Sequence, residues 1–238
     1  MPAASLQRSG RRHGAVAMGV VRAMQLAVRV HDGSRKVPIA WIYAKRLIDI
    51  LLSLALLVLL APVIVAAAIA IVVVTGGVPF FAQERVGMNG RRFRMYKLRT
   101  MVSGADAMRD RVRHLNEVDG PVFKIRNDPR LHPLGATLRC TSIDELPNLI
   151  NVVFGDMSLV GPRPALPSEV AQYDTWALRR LTVPQGVTCL WQINGRSTTS
   201  FDEWMDLDNR YIDEWTPLGD LAILVKTIPA VLLRKGAH

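Results

Sequence analysis

Two adjacent carboxylates, Asp144 and Glu145, lie in the stretch TSIDELPNLINVVFGDMSLVGPRP, which covers residues 141–164. A proline follows at Pro147, and a helix accepts proline readily only in its first turn. We therefore expect the pair at the N-terminus of a helix. Acids at such a place have an ordinary role, because they cap the helix and complement its dipole. A chemical role needs support from other residues.

Ser142 and Glu145 have the spacing of a capping box, in which each side chain bonds to the backbone N–H of the other residue. This spacing predicts a structural use of Glu145. Two adjacent residues of a helix point about 100° apart. The two carboxylates therefore suit two different tasks better than one shared proton.

Cationic residues from several segments favour chemistry at this pair. Arg163 lies between two prolines, which fix the backbone on both sides of its guanidinium and favour a two-pronged grip on a phosphate or carboxylate. Four cations lie in segments that can converge on the pair: Lys97, Arg99, Arg139 and Arg163. Arginines beside two carboxylates suit phosphoryl chemistry, in which one carboxylate holds Mg²⁺ on a diphosphate and the other attacks phosphorus.

Most of the positive charge lies ahead of the apolar part of the chain. The 238 residues carry a net charge of +10, and residues 1–46 hold nine Lys/Arg and one acid, which leaves +2 for residues 47–238. A nucleic-acid binder usually carries its charge on the folded domain, so we expect no nucleic-acid partner. A basic tail before an apolar run indicates attraction to anionic membrane lipid. Residues 1–37 are expected to form this tail and to be disordered.

The cysteine and histidine patterns exclude two further classes of protein. The two cysteines form no C-x-x-C motif and the five histidines form no H-x-x-x-H motif. Neither a zinc site nor a disulfide framework is therefore indicated. Two isolated thiols fit a reducing cytoplasm.

An uncharged apolar run of 25 residues covers positions 50–74. As one helix it would be about 37 Å long, enough to cross a hydrocarbon core of about 30 Å. Two features oppose a simple crossing. Pro62 lies at the middle of the run, and basic residues, which mark the cytoplasmic side, flank both ends. A helix broken at Pro62 that enters and leaves by one face satisfies both features, so a spanning helix and a re-entrant hairpin are both open.

Charged residues elsewhere have simpler predicted roles. Asp49 lies three and four residues after Arg46 and Lys45, which predicts a local salt bridge at the level of the lipid headgroups. The acids of segment 202–214 are expected to form a solvated helix face: Asp202, Glu203, Asp206, Asp208, Asp213 and Glu214.

The residues after the apolar run predict a mixed domain of helices and strands. Asn89-Gly90 is a strong hairpin signal between strands at roughly 80–87 and 91–99. Helices are predicted at 103–118, with Ser103 as the cap, and in the C-terminal part, where they are split near Pro217. The second of these C-terminal helices is apolar enough to lie on a membrane surface. Alternation places four side chains of the second strand on one face: Phe93, Met95, Lys97 and Arg99.

Four stretches together resemble a known family: KRLIDILLSLALLVLLAP, YKLRTM, SIDELPNLINVVFGDMSLVGPRP and LWQINGRS. They are similar to the bacterial sugar transferases, the monotopic phosphoglycosyl transferases, over roughly residues 40–233. The resemblance implies transfer of a sugar 1-phosphate, of the hexose type, from a UDP-sugar to polyprenyl (undecaprenyl) phosphate. UMP is released in this reaction, which is the first membrane step of exopolysaccharide or related glycan synthesis.

The same resemblance implies an α+β protein of the bacterial inner membrane. A re-entrant membrane helix hairpin would occupy residues 38–78. A catalytic domain on the cytoplasmic face would occupy residues 79–238, as a mostly helical globular domain with a small β-hairpin and membrane-surface helices.

Matched onto this chain, the resemblance makes Asp144 the nucleophile that forms an aspartyl-phosphosugar, and Glu145 the Mg²⁺ ligand. Arg163 falls in the nucleotide-sugar site. Four more basic residues are candidates for substrate binding: Lys97, Arg99, Arg139 and Arg196. The chain departs from the family at VPQGVT, where Pro184 comes one place early and Gln185 takes its position. The competing interpretation is a catalytically inactive membrane anchor or scaffold of the same fold, and a homodimer is left open.

Overall fold

A computed structural model of the chain describes residues 37–194 and 200–232. A long helix, α1 (Ile39–Thr75), leads into a hairpin of β1 (Phe80–Val86) and β2 (Arg92–Leu98). Short elements follow: α2 (Gly135–Cys140), α3 (Asn148–Phe154), β3 (Ser158–Val160), α4 (Pro167–Val170), α5 (Thr175–Leu178), β4 (Gly186–Thr188) and α6 (Leu190–Ile193). The last two described helices are α7 (Phe201–Glu214) and α8 (Pro217–Leu232). The arrangement is α+β, as predicted, and the predicted tail at 1–37 lies outside the described residues except for Val37.

The hairpin forms as its Asn-Gly turn predicts. β1 and β2 are antiparallel, with Phe80 opposite Leu98. Asn89 has φ 56° and the glycine after it has φ 76°, the left-handed conformation that such a turn favours. Along the predicted shared face of β2, Phe93 is buried in the core, whereas Lys97 reaches the wall of a cavity. β2 therefore connects the core to a polar cleft.

The main core lies between α3, the parallel strand pair β3–β4 and the two C-terminal helices. Ser158 of β3 pairs with Gly186 of β4. Partly buried leucines from the first half of α1 also pack on this core, so the long helix and the globular part share it. The buried members of the core are Phe93, Met95, Leu149, Val152, Met157, Leu159, Val160, Tyr211 and Ile223.

The apolar run forms one continuous helix, α1, with Pro62 inside it. Helical hydrogen bonding thus continues through Pro62, and α1 is not divided into two separate helices. Proline removes one backbone hydrogen bond and commonly bends a helix without ending it. By length and composition, α1 is able to cross a membrane. Its arrangement in a bilayer is a separate question, which depends on what its two ends contact.

Charged side chains fasten the N-terminal end of α1 to the globular part. Lys45 pairs with the carboxylate of Asp220 and donates a hydrogen bond to the carbonyl of Val160 (3.0 Å). Asp49 accepts hydrogen bonds from the hydroxyl of Ser158 (2.8 Å) and from the backbone N–H of the next residue (3.0 Å). The hydrogen bonds of both side chains thus go to the globular part, whereas the sequence predicts a local salt bridge within the helix.

The C-terminal end of α1 contacts the same globular part. Ile71 is fully buried and packs against Leu98 of β2 and Leu138 of α2. Thr75, the last residue of the helix, accepts a hydrogen bond from the guanidinium of Arg99. Both ends of one apolar helix therefore dock on one folded unit.

The predicted helix at 103–118 is wrong. The segment forms turns, followed by a 3₁₀ helix at Asp110–Leu115. Gly104 has φ 78°, a left-handed conformation that interrupts a helix. Arg130, from outside the segment, donates to the carbonyl of Ala105 (3.4 Å), which also accepts the backbone N–H of Met108, three residues on (3.2 Å). Tertiary contacts thus override helix propensity here.

The predicted division near Pro217 is confirmed by α7 and α8. Ser200 caps α7, because its hydroxyl accepts a hydrogen bond from the N–H of Glu203 (3.3 Å). The predicted solvated acidic face of α7 needs one correction, since Asp208 is buried and paired with Arg180 (2.8 Å). One face of α8 exposes four apolar side chains at helical spacing: Leu218, Leu221, Val225 and Ile228.

Candidate active site

One cavity of about 490 Å³ brings the predicted site residues together. Its walls include residues of β2, of the turn before α3 and of the loop after β3. Six of the predicted residues line it: Lys97, Arg99, Arg139, Asp144, Glu145 and Arg163. Arg196 lies outside the described residues. The chain thus gathers four cations around two carboxylates, while the role of each residue stays a prediction.

The carboxylate pair lies in a 3₁₀ turn, Ile143–Glu145, one step ahead of the expected helix. Helix α3 begins at Asn148, directly after Pro147. Ser142 has φ 57° and makes no side-chain cap, so the predicted capping box is wrong. The physical reason is that the carboxylate of Glu145 has stronger, charged partners across the cavity.

Glu145 is held by two cations from different parts of the chain. Lys97 on β2 donates to its Oε1 atom (2.7 Å). Arg163 donates to both carboxylate oxygens, in the two-pronged geometry expected for this guanidinium (3.2 Å for the longer bond). Burial alone would raise the pKa of Glu145, but the charges of Arg163 and Lys97 outweigh burial and hold the pKa well below its ordinary value. Glu145 is therefore ionised over the whole physiological pH range.

Asp144 has the opposite electrostatic setting. It is buried, with 5% of its surface exposed, and burial raises its pKa to about 6. The charge of Lys97 opposes this rise, and the neighbouring Glu145 carboxylate adds to it. Two adjacent carboxylates with pKa values moved apart are suited to different tasks. At neutral pH, Asp144 is mostly ionised and still basic enough to act as a nucleophile or base.

The two remaining cations each bond to a nearby hydroxyl. Arg139 donates from Nε to the Thr100 hydroxyl (3.1 Å). Arg99 donates to the hydroxyl of Ser103 (3.2 Å) and also to Thr75 at the end of α1. Hydroxyl partners leave the full positive charge of both guanidinium groups available, so this wall of the cavity favours anions.

Two arginines that the sequence does not single out hold the loop of Arg163. Arg180 is buried and donates to the carbonyl of Arg163 (2.9 Å) and to the hydroxyl of Tyr173 (2.9 Å). Arg85 donates to the carbonyl of Pro164 (3.0 Å). The backbone under Arg163 is therefore fixed by cations as well as by its prolines. No local sequence pattern indicates these contacts, because each of them joins segments that are distant along the chain.

The departure at VPQGVT leaves the local turn well ordered. Gln185 is fully buried, and its side-chain amide donates to the carbonyls of Arg180 (2.9 Å) and Val183 (3.0 Å). The following Gly186 lies so close to Gly161 that an added Cβ would come within 2.1 Å of a backbone nitrogen. Gln185 thus supports the loops around Arg163, and the glycine is required by close backbone contact.

The donor set of the cavity fits Mg²⁺ shared with a substrate. Within residues 37–194 and 200–232, no three His, Cys, Asp or Glu side chains gather as a metal cage. Mg²⁺ needs no such cage, because it usually binds one or two carboxylates and completes its shell with waters and substrate phosphates. Glu145 fits this role. Phosphate oxygens of a bound substrate can accept the hydrogen bonds of Lys97 and Arg163, which would leave the carboxylate of Glu145 free to bind the metal.

An apolar helix docked beside a cation-lined cavity with two carboxylates defines a class of protein: membrane-associated enzymes that act on phosphorylated substrates. Comparison with known families is more specific. The sequence model of the family described as bacterial sugar transferase matches residues 40–234. This chain belongs to the bacterial sugar transferase family.

Three relatives show how far the similarity extends. The exopolysaccharide production protein ExoY of Rhizobium meliloti is 38% identical over 199 residues, which cover 82% of this chain and 88% of ExoY. The UDP-glucose:undecaprenyl-phosphate glucose-1-phosphate transferase of Caulobacter vibrioides is 38% identical over 207 residues, 82% of this chain and 72% of that protein. The galactosyl transferase CpsE of Streptococcus agalactiae is 46% identical over 163 residues, 68% of this chain but only 36% of CpsE.

Proposed function

We propose that this chain transfers a hexose 1-phosphate from a UDP-sugar to undecaprenyl phosphate and releases UMP, as the first membrane step of exopolysaccharide or related glycan synthesis. The observation that carries the proposal is the pair Asp144 and Glu145, which lies in one cavity lined by cations, two of which bind Glu145. The names of ExoY and of the glucose-1-phosphate transferase support the same reaction class.

In the first half-reaction, Asp144 attacks the β-phosphorus of the UDP-sugar. A bond forms between a carboxylate oxygen and phosphorus, the bond from phosphorus to the bridging oxygen breaks, and UMP leaves with the electron pair. Lys97 and Arg163 turn from Glu145 to the diphosphate oxygens. Mg²⁺ bound at Glu145 would neutralise the charge of the diphosphate.

In the second half-reaction, a phosphate oxygen of undecaprenyl phosphate attacks the same phosphorus. The bond to Asp144 breaks, which restores the carboxylate and yields undecaprenyl diphosphate sugar. Asp144 needs to be ionised at the start of the cycle and is ionised again at its end, so no general base is required at this residue. The kinetics are then of the ping-pong type.

The contacts of α1 support a re-entrant arrangement, with the catalytic domain on the cytoplasmic face of the inner membrane. Asp49 near one end and Ile71 near the other both contact the same globular part, so both ends of the helix would be held on the side of the bilayer where that part lies. The exposed apolar face of α8 supports its position on the membrane surface.

Single cysteines placed before Lys45 and after Gly90 should both react only from the cytoplasmic side. Reaction of either one from the periplasm would exclude this topology.

Mass spectrometry of protein given UDP-sugar alone tests the chemistry. We expect a gain of one sugar phosphate on the peptide that carries Asp144. Asp144→Asn should abolish the adduct and still bind UDP-sugar with Mg²⁺, whereas the matched exposed control Asp213→Asn should keep the adduct. Glu145→Gln should weaken the Mg²⁺ dependence as well as the rate. An adduct on another residue, or ternary-complex kinetics without an adduct, would remove Asp144 from this role.

The competing candidate is an inactive anchor or scaffold of the same fold. The intact carboxylate pair and Arg163 oppose it, because a scaffold has no need to gather two acids and several cations in one cavity. A UMP-release assay with undecaprenyl phosphate and a panel of UDP-sugars separates the two. Release of UMP with one of the UDP-sugars supports the transferase and identifies its donor. The absence of UMP release with every sugar tested supports the scaffold.

A further inference from the structure

A buried ion pair lies against the backbone of the loop that carries Arg163. Asp208 of α7 and Arg180 are 1% and 3% exposed, and a carboxylate oxygen of Asp208 lies 2.8 Å from the Nη2 atom of Arg180. Arg180 lines the cavity, whereas Asp208 is not among the residues that line it. The proposed half-reactions give Asp208 no task.

One nitrogen atom joins this ion pair to the cavity. The Nη2 atom of Arg180 that lies beside Asp208 also donates to the backbone carbonyl of Arg163 (2.9 Å). The Nη1 atom of the same guanidinium donates to the hydroxyl of Tyr173 (2.9 Å). Because the guanidinium is planar and rigid, partners at two of its nitrogens fix its orientation. Asp208 and Tyr173 therefore determine how Arg180 meets the carbonyl of Arg163.

The backbone at Arg163 in turn determines where its side chain points. Arg163 binds both carboxylate oxygens of Glu145, a contact that requires the guanidinium and the carboxylate to be aligned. A displacement of about 1 Å in a group that holds a substrate can cost about 100-fold in rate. The contacts thus run from Asp208 to Arg180, and from Arg180 through a backbone carbonyl to Arg163.

Folding stability alone does not account for a charged pair at this place. Replacement of a buried ion pair by apolar side chains of similar volume is often neutral or stabilising. The surroundings would accept such a change, because Tyr173, which Arg180 contacts, belongs to a buried apolar cluster with Ala177 and Met205. What an apolar pair cannot supply is a donor directed at the carbonyl of Arg163.

We propose that Asp208 is a positioning residue for the transfer reaction. It orients Arg180, which holds the carbonyl of Arg163 and thereby directs the guanidinium of Arg163 towards the diphosphate of the UDP-sugar. The inference rests on the proposed function and adds a determinant of substrate binding that lies on α7, outside the cavity wall. Asp208 itself does not touch the substrate.

A kinetic double-mutant cycle tests this series of contacts. The full chain in nanodiscs is given the UDP-sugar that supports UMP release, and the rate of adduct formation on Asp144 is measured at increasing concentration of that UDP-sugar. Asp208→Asn keeps the shape of the side chain and loses its charge, and Arg163→Lys loses the planar fork. The cycle compares these two variants with the double variant. Asp206→Asn, on the exposed side of the same helix, is the matched control.

Asp208→Asn should raise the half-saturating concentration of the UDP-sugar about tenfold and change the maximal rate less, because Arg163 is misdirected and Asp144 is untouched. In the Arg163→Lys background the same change should cost less than about twofold, since no fork remains to be directed. Asp206→Asn should match wild type. A residue that serves only the fold would cost the same factor in both backgrounds.

A second variant separates positioning from folding. Asp208→Leu combined with Arg180→Met replaces the buried ion pair by apolar side chains, which folded proteins often accept without loss of stability. This variant should keep a thermal midpoint near that of wild type. It should still raise the half-saturating concentration about tenfold, because no donor meets the carbonyl of Arg163. It decides the matter if Asp208→Asn fails to fold.

Three results would each show that Asp208 serves the core alone. They are equal costs of Asp208→Asn in both backgrounds, a lower thermal midpoint of Asp208→Asn with unchanged half-saturation, and wild-type half-saturation in the variant with the apolar pair. If the adduct forms on Asp144 and any of these results is found, the proposed function stands and the positioning role falls. If wild-type protein forms no adduct with any UDP-sugar, the proposed function falls, and the positioning role falls with it.

Discussion

Two clusters of buried charged side chains in this molecule both contain lysine and carboxylate groups, but they differ in whether the positive and negative charges are matched. At the junction of α1 with the globular part, Lys45 is matched by Asp220 and by a backbone carbonyl. In the cavity, Glu145 is shared by Lys97 and Arg163, and further guanidinium groups line the walls. Buried charges are tolerated only when they are paired and hydrogen-bonded. The junction is satisfied by its own partners, whereas the cavity holds surplus positive charge for a polyanion.

This difference separates stability from activity. A change at the junction leaves a partner buried without its counter-charge, so the expected loss is in folding. In the proposed function, a change in the cavity removes a group whose partner is the substrate, so the expected loss is in turnover. Each of the following experiments compares the effect on folding stability with the effect on turnover. A change that lowers both would contradict the separation.

Lys45→Met should have the largest effect. It leaves the carboxylate of Asp220 buried without its cation, and such losses are about 3–5 kcal/mol of folding free energy. We expect a fall of the thermal midpoint by many degrees in nanodiscs, with little change in the turnover of the molecules that stay folded. Lys226→Met, on an exposed part of α8, is the matched control and should keep the wild-type midpoint. An unchanged midpoint for Lys45→Met would mean that the junction does not carry stability.

Arg163→Lys should lower kcat/KM for the UDP-sugar about 100-fold and leave the thermal midpoint near that of wild type. Lysine keeps the charge but loses the planar fork that binds two oxygens at once. Steady-state kinetics measure the loss, with Arg210→Lys as an exposed control on α7. Near-normal turnover of the lysine variant would reduce Arg163 to a source of general positive charge.

Arg180→Lys should lower kcat/KM about tenfold, mainly through a higher KM, because the loop that presents Arg163 loses its hold. Arg180 bonds to the carbonyl of Arg163 and to Tyr173, and a lysine cannot span both. The neighbouring Arg179, paired with Asp213 at the surface, offers the control Arg179→Lys. If only the melting temperature of Arg180→Lys falls, with KM unchanged, Arg180 serves the core alone.

The pH dependence of kcat/KM should report Asp144. Its pKa is raised to about 6 by burial, so protonation below this pH removes the nucleophile, and the rate should fall about tenfold per pH unit. The same shift has the opposite sign for stability. Because the folded state binds this proton more tightly than the unfolded state, acidification from about pH 6 towards pH 4 stabilises the fold through this group. A flat profile between pH 7 and pH 5 would contradict the assignment.

Features with local causes were predictable from the sequence. The hairpin follows from Asn89-Gly90, and the two C-terminal helices follow from Pro217, because turn and proline preferences act within a few residues. Convergence of cations on Asp144 and Glu145 was expected from residue types alone. The structure brings these side chains to one cavity, while their tasks stay predictions.

Features with distant causes were not predictable. The segment 103–118 forms turns and a 3₁₀ helix in place of the expected helix, and Arg130, from outside the segment, bonds to one of its carbonyls. The capping box at Ser142 fails because Glu145 has partners on β2 and in the loop after β3. The hydrogen bond from Arg180 to the carbonyl of Arg163 in that loop joins residues that are distant along the chain, so no local sequence pattern indicates it.

One contact links the cavity to the bilayer. Arg99 lines the cavity and donates to Thr75, the last residue of α1, so the position of the cavity is fixed relative to the end of this apolar helix. In the proposed reaction, the acceptor lipid arrives by lateral diffusion within the membrane plane. Its effective concentration is its mole fraction among lipids, and not its amount per volume of solution. Diluting undecaprenyl phosphate with inert lipid at constant total amount should slow the second half-reaction and leave adduct formation unchanged.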